Sequence, residues 1–185
     1  MPRIKEFPDL PSVTEILAAV GLTRSYEGVA PHYAQLGTAL HLAIHLHTRG
    51  ELDVASLHPE VRPGFGAFLE FEAREQLVVI HSELELAHPR GFVGHLDLVA
   101  SVGGVRRAVI DVKYSDAPDI KGATYQLAGY GLLHDHAYPE TPAEERYVLP
   151  LSKKGKRAEL VRVTEAYSKQ IFLAALIIER AKRER

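Results

Sequence analysis

The chain has 185 residues, a formal net charge of −2 and no cysteine. This length suits one domain of ordinary size, and the lack of cysteine excludes a disulfide framework, a thiolate zinc site and an iron–sulfur cluster. The charge argues against a general polyanion-binding surface, so nucleic-acid binding would need local basic patches. The opening residues lack the apolar segment of a signal peptide, and the longest apolar run, Ile171–Ile178, is too short to cross a bilayer. We therefore expect a cytoplasmic protein with no membrane partner.

The N-terminal part, residues 1–76, is predicted to be mainly helical. A capping box that starts at Ser12 predicts a short helix from Val13 to Val20. The spacing of apolar residues predicts a second helix from about Tyr33 to Thr48. It predicts a third from Pro59 to Glu75, with a restart near Pro63.

Three histidines lie close together in the second predicted helix. His41 and His45 are one helical turn apart, which is a spacing that allows two imidazoles to share a metal ion, and His47 follows. The alternative is a partly buried helix whose imidazoles are satisfied by hydrogen bonds, and the run lacks the glutamate of a zinc-protease helix. The spacing alone leaves both interpretations open.

Strands are predicted over Leu77–Ala87, Phe92–Val102 and Val105–Tyr114, and the last two form a hairpin. Each strand of this hairpin carries an aspartate, Asp97 in the first and Asp111 in the second. Aspartate is depleted in strands because it offers no apolar area to pack. Two such exceptions in one hairpin indicate a functional site.

Lys113 follows Asp111 at the period of a strand, so both side chains leave the same face. Two carboxylates and one ammonium group on a half-buried sheet suit the metal-dependent hydrolysis of a phosphodiester. Glu83 alternates with apolar residues of the preceding strand, and it either points towards this site or faces solvent.

A helix is predicted from Pro118 to His134, with Gln126 and Tyr130 on one of its faces. These two residues form either an ordinary hydrogen-bonding pair or part of a site. A further hairpin, Arg146–Leu151 with Ala158–Val163, is predicted to enclose a basic turn. The basic residues of this turn, which either are simply solvated or contact DNA, are Lys153, Lys154 and Lys156.

A last helix is predicted from about Glu165. The order of elements predicts a single domain of the α/β class, with a mixed sheet between helices. Within residues 1–185 the sheet core spans residues 77–163 and the C-terminal helix spans residues 164–185.

Four short motifs follow one another along the chain: GTALH, which ends at His41, GHLD, which ends at Asp97, DVK, which starts at Asp111, and the pair Gln126 and Tyr130. In this order they resemble the RecB-like exonuclease branch of the PD-(D/E)XK nuclease superfamily. The resemblance implies a restriction-endonuclease-like sandwich and a divalent-metal-dependent DNA exonuclease that acts at DNA ends in recombination, repair or phage replication.

The resemblance also implies roles for individual residues. The expected metal ligands are His41, Asp97, Asp111 and the backbone carbonyl of Val112. Mg²⁺ or Mn²⁺ is the expected ion, and an imidazole ligand favours Mn²⁺. Lys113 is expected to orient the attacking water. Three further roles are implied: Gln126 and Tyr130 would hold the substrate strand, and Glu83 would assist at the site.

Other functions stay open at this stage. They are a structure-selective endonuclease on the same core, a catalytically silent DNA-binding module, and an unrelated α/β domain with chance motifs. DNA is the expected partner, and a helicase, a recombinase or an annealing protein is a candidate protein partner.

A shared metal site requires one particular strand register. A two-residue turn would pair Val102 with Val105 and would send Asp97 and Asp111 to opposite faces of the sheet. A three-residue loop, Gly103 to Val105, places the two aspartates opposite each other on one face. The sequence therefore predicts that this hairpin does not have a plain two-residue turn.

Overall fold

In the computed structural model, five strands form one mixed sheet with helices on both faces, which confirms the predicted α/β class. The structure describes residues 7, 9–23, 31–103, 106–164 and 166–184. The predicted loop residues Gly104 and Val105 and the predicted helix start at Glu165 lie outside these residues. Within the described part of the chain, no helix combines the length and the apolar character needed to span a bilayer.

The elements follow one another in an order close to the predicted one. In chain order they are α1 (Val13–Ala19), α2 (Pro31–Thr48), a 3₁₀ turn (Val54–Ser56), α3 (Arg62–Arg74), β1 (Val78–His88), β2 (Phe92–Val102), β3 (Arg106–Tyr114), α4 (Ile120–Ala137), β4 (Glu145–Leu151), β5 (Val161–Arg162) and α5 (Ser168–Arg183).

Two predicted boundaries are wrong for identifiable reasons. The third helix begins at Arg62, next to the restart predicted near Pro63, because a proline in the first turn suits a helix start, and the predicted turn from Pro59 is not helical. The predicted strand Ala158–Val163 shrinks to Val161–Arg162, which pairs with β4. Ala158 lies outside this strand. Its side chain packs in the core, and its carbonyl accepts a hydrogen bond from Arg74.

The strands lie in the order β1, β2, β3, β4 and β5. Every neighbouring pair is antiparallel except β3 and β4, which run parallel and are connected through α4. One hydrophobic core lies between the sheet and α1, α4 and α5. A second core lies on the other face, between the sheet and α2 and α3.

The β2–β3 hairpin has the register that a shared site requires. Val102 pairs with Arg106, and the last cross-strand pair is Leu98 with Ile110. Three residues therefore separate the paired ends, and Asp97 lies opposite Asp111. Gly103 has a φ of +61°, in the left-handed region that glycine adopts without a steric penalty. The prediction of a hairpin without a two-residue turn is confirmed.

Replacing Gly103 with alanine should lower the free energy of unfolding by about 1 kcal/mol, because an L-residue is strained at this φ. Gly66 of α3 provides a matched control, since an added Cβ meets no atom within 4 Å at either position. Gly66→Ala should stabilise the protein by roughly 0.5–1 kcal/mol, because alanine is favoured inside a helix. Urea unfolding of both variants measures the two changes, and equal signs would contradict this account.

Candidate active site

The candidate site lies where β2 and β3 separate. Beyond the pair of Leu98 with Ile110, the backbone N–H of Val112 donates to Oδ2 of Asp97 at 2.7 Å. The carbonyl of Val112 accepts a hydrogen bond from Nε2 of His41 at 3.1 Å. Side chains of the site therefore satisfy both backbone groups of Val112 at the fork between the strands.

Three acidic residues lie in one row across three strands. Ser82 pairs with Leu98 and Leu84 pairs with Leu96, so Glu83 of β1 lies opposite Asp97 of β2. The hairpin register places Asp111 of β3 on the other side of Asp97. The row therefore runs from Glu83 through Asp97 to Asp111.

His41 of α2 reaches the first two acids of this row. Its Nδ1 lies 3.4 Å from Oδ1 of Asp97 and 3.5 Å from Oε1 of Glu83. One donor atom from each of these three residues lies within 4.8 Å of the others, which is a geometry that suits a metal ion. Because Nε2 donates to a carbonyl, Nδ1 is the ring atom that is left to face an ion.

Asp111 is fully buried and lies against Lys113. Nζ of Lys113 donates to Oδ1 of Asp111 at 3.0 Å and lies 2.9 Å from Oδ2. Among the described residues Oδ2 has this ion-pair contact but accepts no hydrogen bond. A buried carboxylate oxygen without a hydrogen bond is available for a cation, and this observation agrees with a metal site beside Asp97.

Gln126 and Tyr130 lie behind Lys113 and are both buried, at 5% and 2% exposure. Oε1 of Gln126 accepts from Nζ of Lys113 at 3.1 Å, and its Nε2 donates to the Tyr130 hydroxyl at 2.8 Å. The sequence implied contact of these two side chains with substrate. In the structure, their polar groups form a chain that ends on Lys113.

The other predicted residues lie outside this group. His45 bonds Ser82 at 2.7 Å, and His47 bonds Glu72 at 2.8 Å, so both imidazoles have protein partners. The basic turn follows β4, where the ammonium of Lys153 lies 3.8 Å from the ring centroid of Tyr33. Two further lysines of this turn are exposed: Lys154 and Lys156.

His95 is one site neighbour that the sequence reasoning missed. Its Nε2 lies 3.1 Å from Oε2 of Glu83. His95 precedes Asp97 by two residues of a strand, which was the available signal, because alternate strand residues share a face.

The two aspartates have opposite pKa shifts. Burial raises the pKa of Asp111 to about 6, against the opposing effect of Lys113 and with a further rise from the charge of Asp97. Burial also acts to raise the pKa of Asp97, but His41, Lys113 and the Val112 N–H together hold it below its ordinary value.

His41 has the complementary shift. Burial acts to lower its pKa, but Asp97 and Glu83 outweigh burial and raise the pKa well above the ordinary value. The carboxylates thus stabilise positive charge at the point where the three donor atoms converge. One nitrogen and two oxygens in this arrangement fit Mn²⁺ or Mg²⁺.

Together, the mixed sheet, the cluster of acids with His41 and the adjacent lysine form an arrangement that suits metal-dependent hydrolysis of a phosphodiester. The chain belongs to the PD-(D/E)XK nuclease superfamily, whose family model matches residues 54–184. Nucleases of this superfamily are hydrolases that act on nucleic acids and use divalent metal ions.

Several solved structures resemble the chain, among them the following two. A protein from Eubacterium rectale, provisionally named as an exonuclease, has a TM-score of 0.56 and 11% identity, over 91% of this chain and 71% of the other. The structure of SSO0001 has a TM-score of 0.37 and 14% identity, over 77% and 72%. No curated protein matches the chain. At these identities, the first likeness shows a shared fold.

Asp111→Asn should stabilise the metal-free protein at neutral pH. A folded-state pKa of about 6 means that protonated Asp111 contributes stability below pH 4, and this contribution is lost as the pH rises through 6. Asparagine does not titrate, so the free energy of unfolding of the variant should not fall over this pH range. Relative to the wild type, the variant should become more stable by on the order of 2 kcal/mol. Urea unfolding at pH 4 and pH 8 in a chelator measures the gain. Parallel pH profiles of the two proteins would contradict a buried, charged Asp111.

Gln126→Ala should reduce cleavage about 10-fold, because Lys113 loses an acceptor that fixes its ammonium. Tyr130→Phe should lower the cleavage rate about 5-fold, which corresponds to the loss of one neutral hydrogen bond. Calorimetric Mn²⁺ affinity should stay unchanged in both variants. Gln170→Ala on the exposed face of α5 is the control. Weaker metal binding by either variant would place these residues around the ion and not behind Lys113.

Proposed function

We propose that the protein is a divalent-metal-dependent DNA exonuclease of the RecB-like branch, acting at DNA ends in recombination, repair or phage replication. The observation that carries the proposal is the convergence of donor atoms from His41, Glu83 and Asp97. The buried Asp111 and its partner Lys113 lie beside this cluster. The motif order that ends in Gln126 and Tyr130 supports the RecB-like assignment.

The metal would be held by His41, Asp97 and Asp111, with Glu83 as a further ligand. The Val112 carbonyl, predicted as a ligand, accepts from Nε2 of His41 on the side of the ring away from Nδ1, so its role would be to orient the imidazole. When bound, the divalent ion supplies Lewis acidity towards a phosphate and towards water. Asp97 is suited to ligation because its pKa is lowered and it is ionised at neutral pH. The pKa of Asp111 is raised by burial and by the charge of Asp97, so a cation bound beside it would lower this pKa and complete its ionisation.

Lys113 would supply the positive charge next to the scissile phosphate. Its ammonium is held between Asp111 and Gln126, so its position is fixed before substrate arrives. A positioned ammonium orients the attacking water and offsets charge that develops on phosphate oxygens. Its side chain is 23% exposed, which leaves part of it open towards solvent.

The basic turn would contact the DNA backbone beside this site. β3 and β4 run parallel, so their C-terminal ends meet at one edge of the sheet, where Lys113 pairs with Pro150. Ser152, at the start of the turn, donates to Asp116 in the segment after β3 at 2.6 Å. This bond holds the turn near the site, and its exposed lysines are Lys154 and Lys156.

Linear end-labelled DNA should be degraded in Mn²⁺ or Mg²⁺, whereas a covalently closed circle should survive and a chelator should stop the reaction. Asp97→Asn and Asp111→Asn should each lower the rate on the order of 100-fold or more, because each removes a ligand charge. Asp53→Asn, at an exposed position that caps the 3₁₀ turn, is the matched control.

The other outcomes of this experiment identify the competing functions. Cutting of the closed circle would replace the exonuclease with a structure-selective endonuclease. DNA binding without any cleavage would identify a silent binding module. Wild-type rates in both aspartate variants would remove the assigned site altogether.

A further inference from the structure

Glu83 has an unusual backbone conformation for a residue inside a strand. Its φ is +53°, although the pairs on either side, Ser82 with Leu98 and Leu84 with Leu96, keep the same register. Left-handed backbone is disfavoured for a residue with a Cβ and persists only where the surroundings enforce it. The side chain of this residue lies between two imidazoles.

The two carboxylate oxygens of Glu83 face different histidines. Oε1 lies 3.5 Å from Nδ1 of His41, on the side of the metal ligands. Oε2 lies 3.1 Å from Nε2 of His95 on β2. A carboxylate can only accept, so this contact is favourable when Nε2 of His95 carries a proton.

His95 reaches the site through Glu83. In the described part of the chain, the donor atoms that lie within 4.8 Å of one another come from His41, Glu83 and Asp97, and His95 is not among them. The backbone partner of His95 across the strands is Glu85, which is exposed. The imidazole is therefore directed diagonally, towards the acid at the site.

We propose that His95 is a positioning residue that holds Glu83 as a metal ligand. Glu83 is 24% exposed and has a flexible side chain, so without a partner on Oε2 it would sample orientations directed into solvent. Ligating carboxylates are commonly fixed in this way by a second hydrogen bond. This inference rests on the proposed function, because it takes the ion to be bound beside His41.

Titration calorimetry with Mn²⁺, without DNA, tests the proposal directly. His95→Ala should weaken Mn²⁺ binding 10- to 100-fold, the range expected when the partner of a ligand is lost. His95→Gln should recover part of this loss, because its amide can donate to the carboxylate. The control Glu85→Gln, at an exposed position of β1 two residues after Glu83, should bind Mn²⁺ as the wild type does.

A double-mutant cycle separates positioning from any independent role of His95. Glu83→Gln should weaken Mn²⁺ binding by itself, and adding His95→Ala to it should cause no further loss. Thermal unfolding in a chelator shows which variants are folded. If His95→Ala is unfolded, His95→Gln takes its place in the cycle.

Each result supports or overturns the proposal. Wild-type Mn²⁺ affinity in His95→Ala, or additive losses in the cycle, would overturn the positioning role and leave the nuclease proposal standing. Weaker DNA binding by His95→Ala with unchanged Mn²⁺ affinity would make His95 a substrate contact, which also overturns it. A wild-type chain that binds no Mn²⁺ would overturn both proposals, and the cleavage assay tests the nuclease proposal independently.

Discussion

The site depends on the backbone of a single residue, Val112. Where β2 separates from β3, the N–H and the C=O of Val112 both face the gap, and a buried polar group without a partner is costly. Asp97 accepts from the N–H and His41 donates to the carbonyl. The folded chain therefore requires an acid from β2 and an imidazole from α2 at this point. Binding geometry and fold stability rest on the same two hydrogen bonds.

The separation of β2 from β3 also explains why the pKa values of Asp97 and Asp111 shift in opposite directions. Asp97 receives a backbone N–H and faces His41, so its negative charge is stabilised in the protein alone. Asp111 is buried deeper, and its ion pair with Lys113 does not offset the cost of burial. The surroundings of Asp97 stabilise its carboxylate without any ion. The surroundings of Asp111 disfavour its charge, and a nearby cation would stabilise that charge. A cation placed beside Asp111 would offset the cost of burying its charge.

The hairpin register could be predicted because a site shared by Asp97 and Asp111 requires both on one face, and Gly103 can supply the left-handed residue of a three-residue loop. The direction of the Glu83 side chain could not be predicted. The alternation of side chains between the two faces of a strand assumes extended backbone, and Glu83 is left-handed. Helical spacing placed Gln126 and Tyr130 on one face of α4 but did not show that Lys113 lies opposite them. Spacing within one element predicts which side chains share a face. What lies across from that face depends on packing between elements that are distant in sequence.

The first strand carries a further consequence of the distortion at Glu83. β1 has β2 on one side and no other strand of the described chain on the opposite side, and Val78 and Ile80 are exposed along it. A long apolar border of this kind invites addition of a strand from another molecule. The register of β1 shifts between Val79 and His81. The left-handed residue Glu83 then interrupts the extended backbone a second time. The straight segments that remain are too short to pair well with a strand of another molecule, so the distortion at Glu83 also discourages self-association.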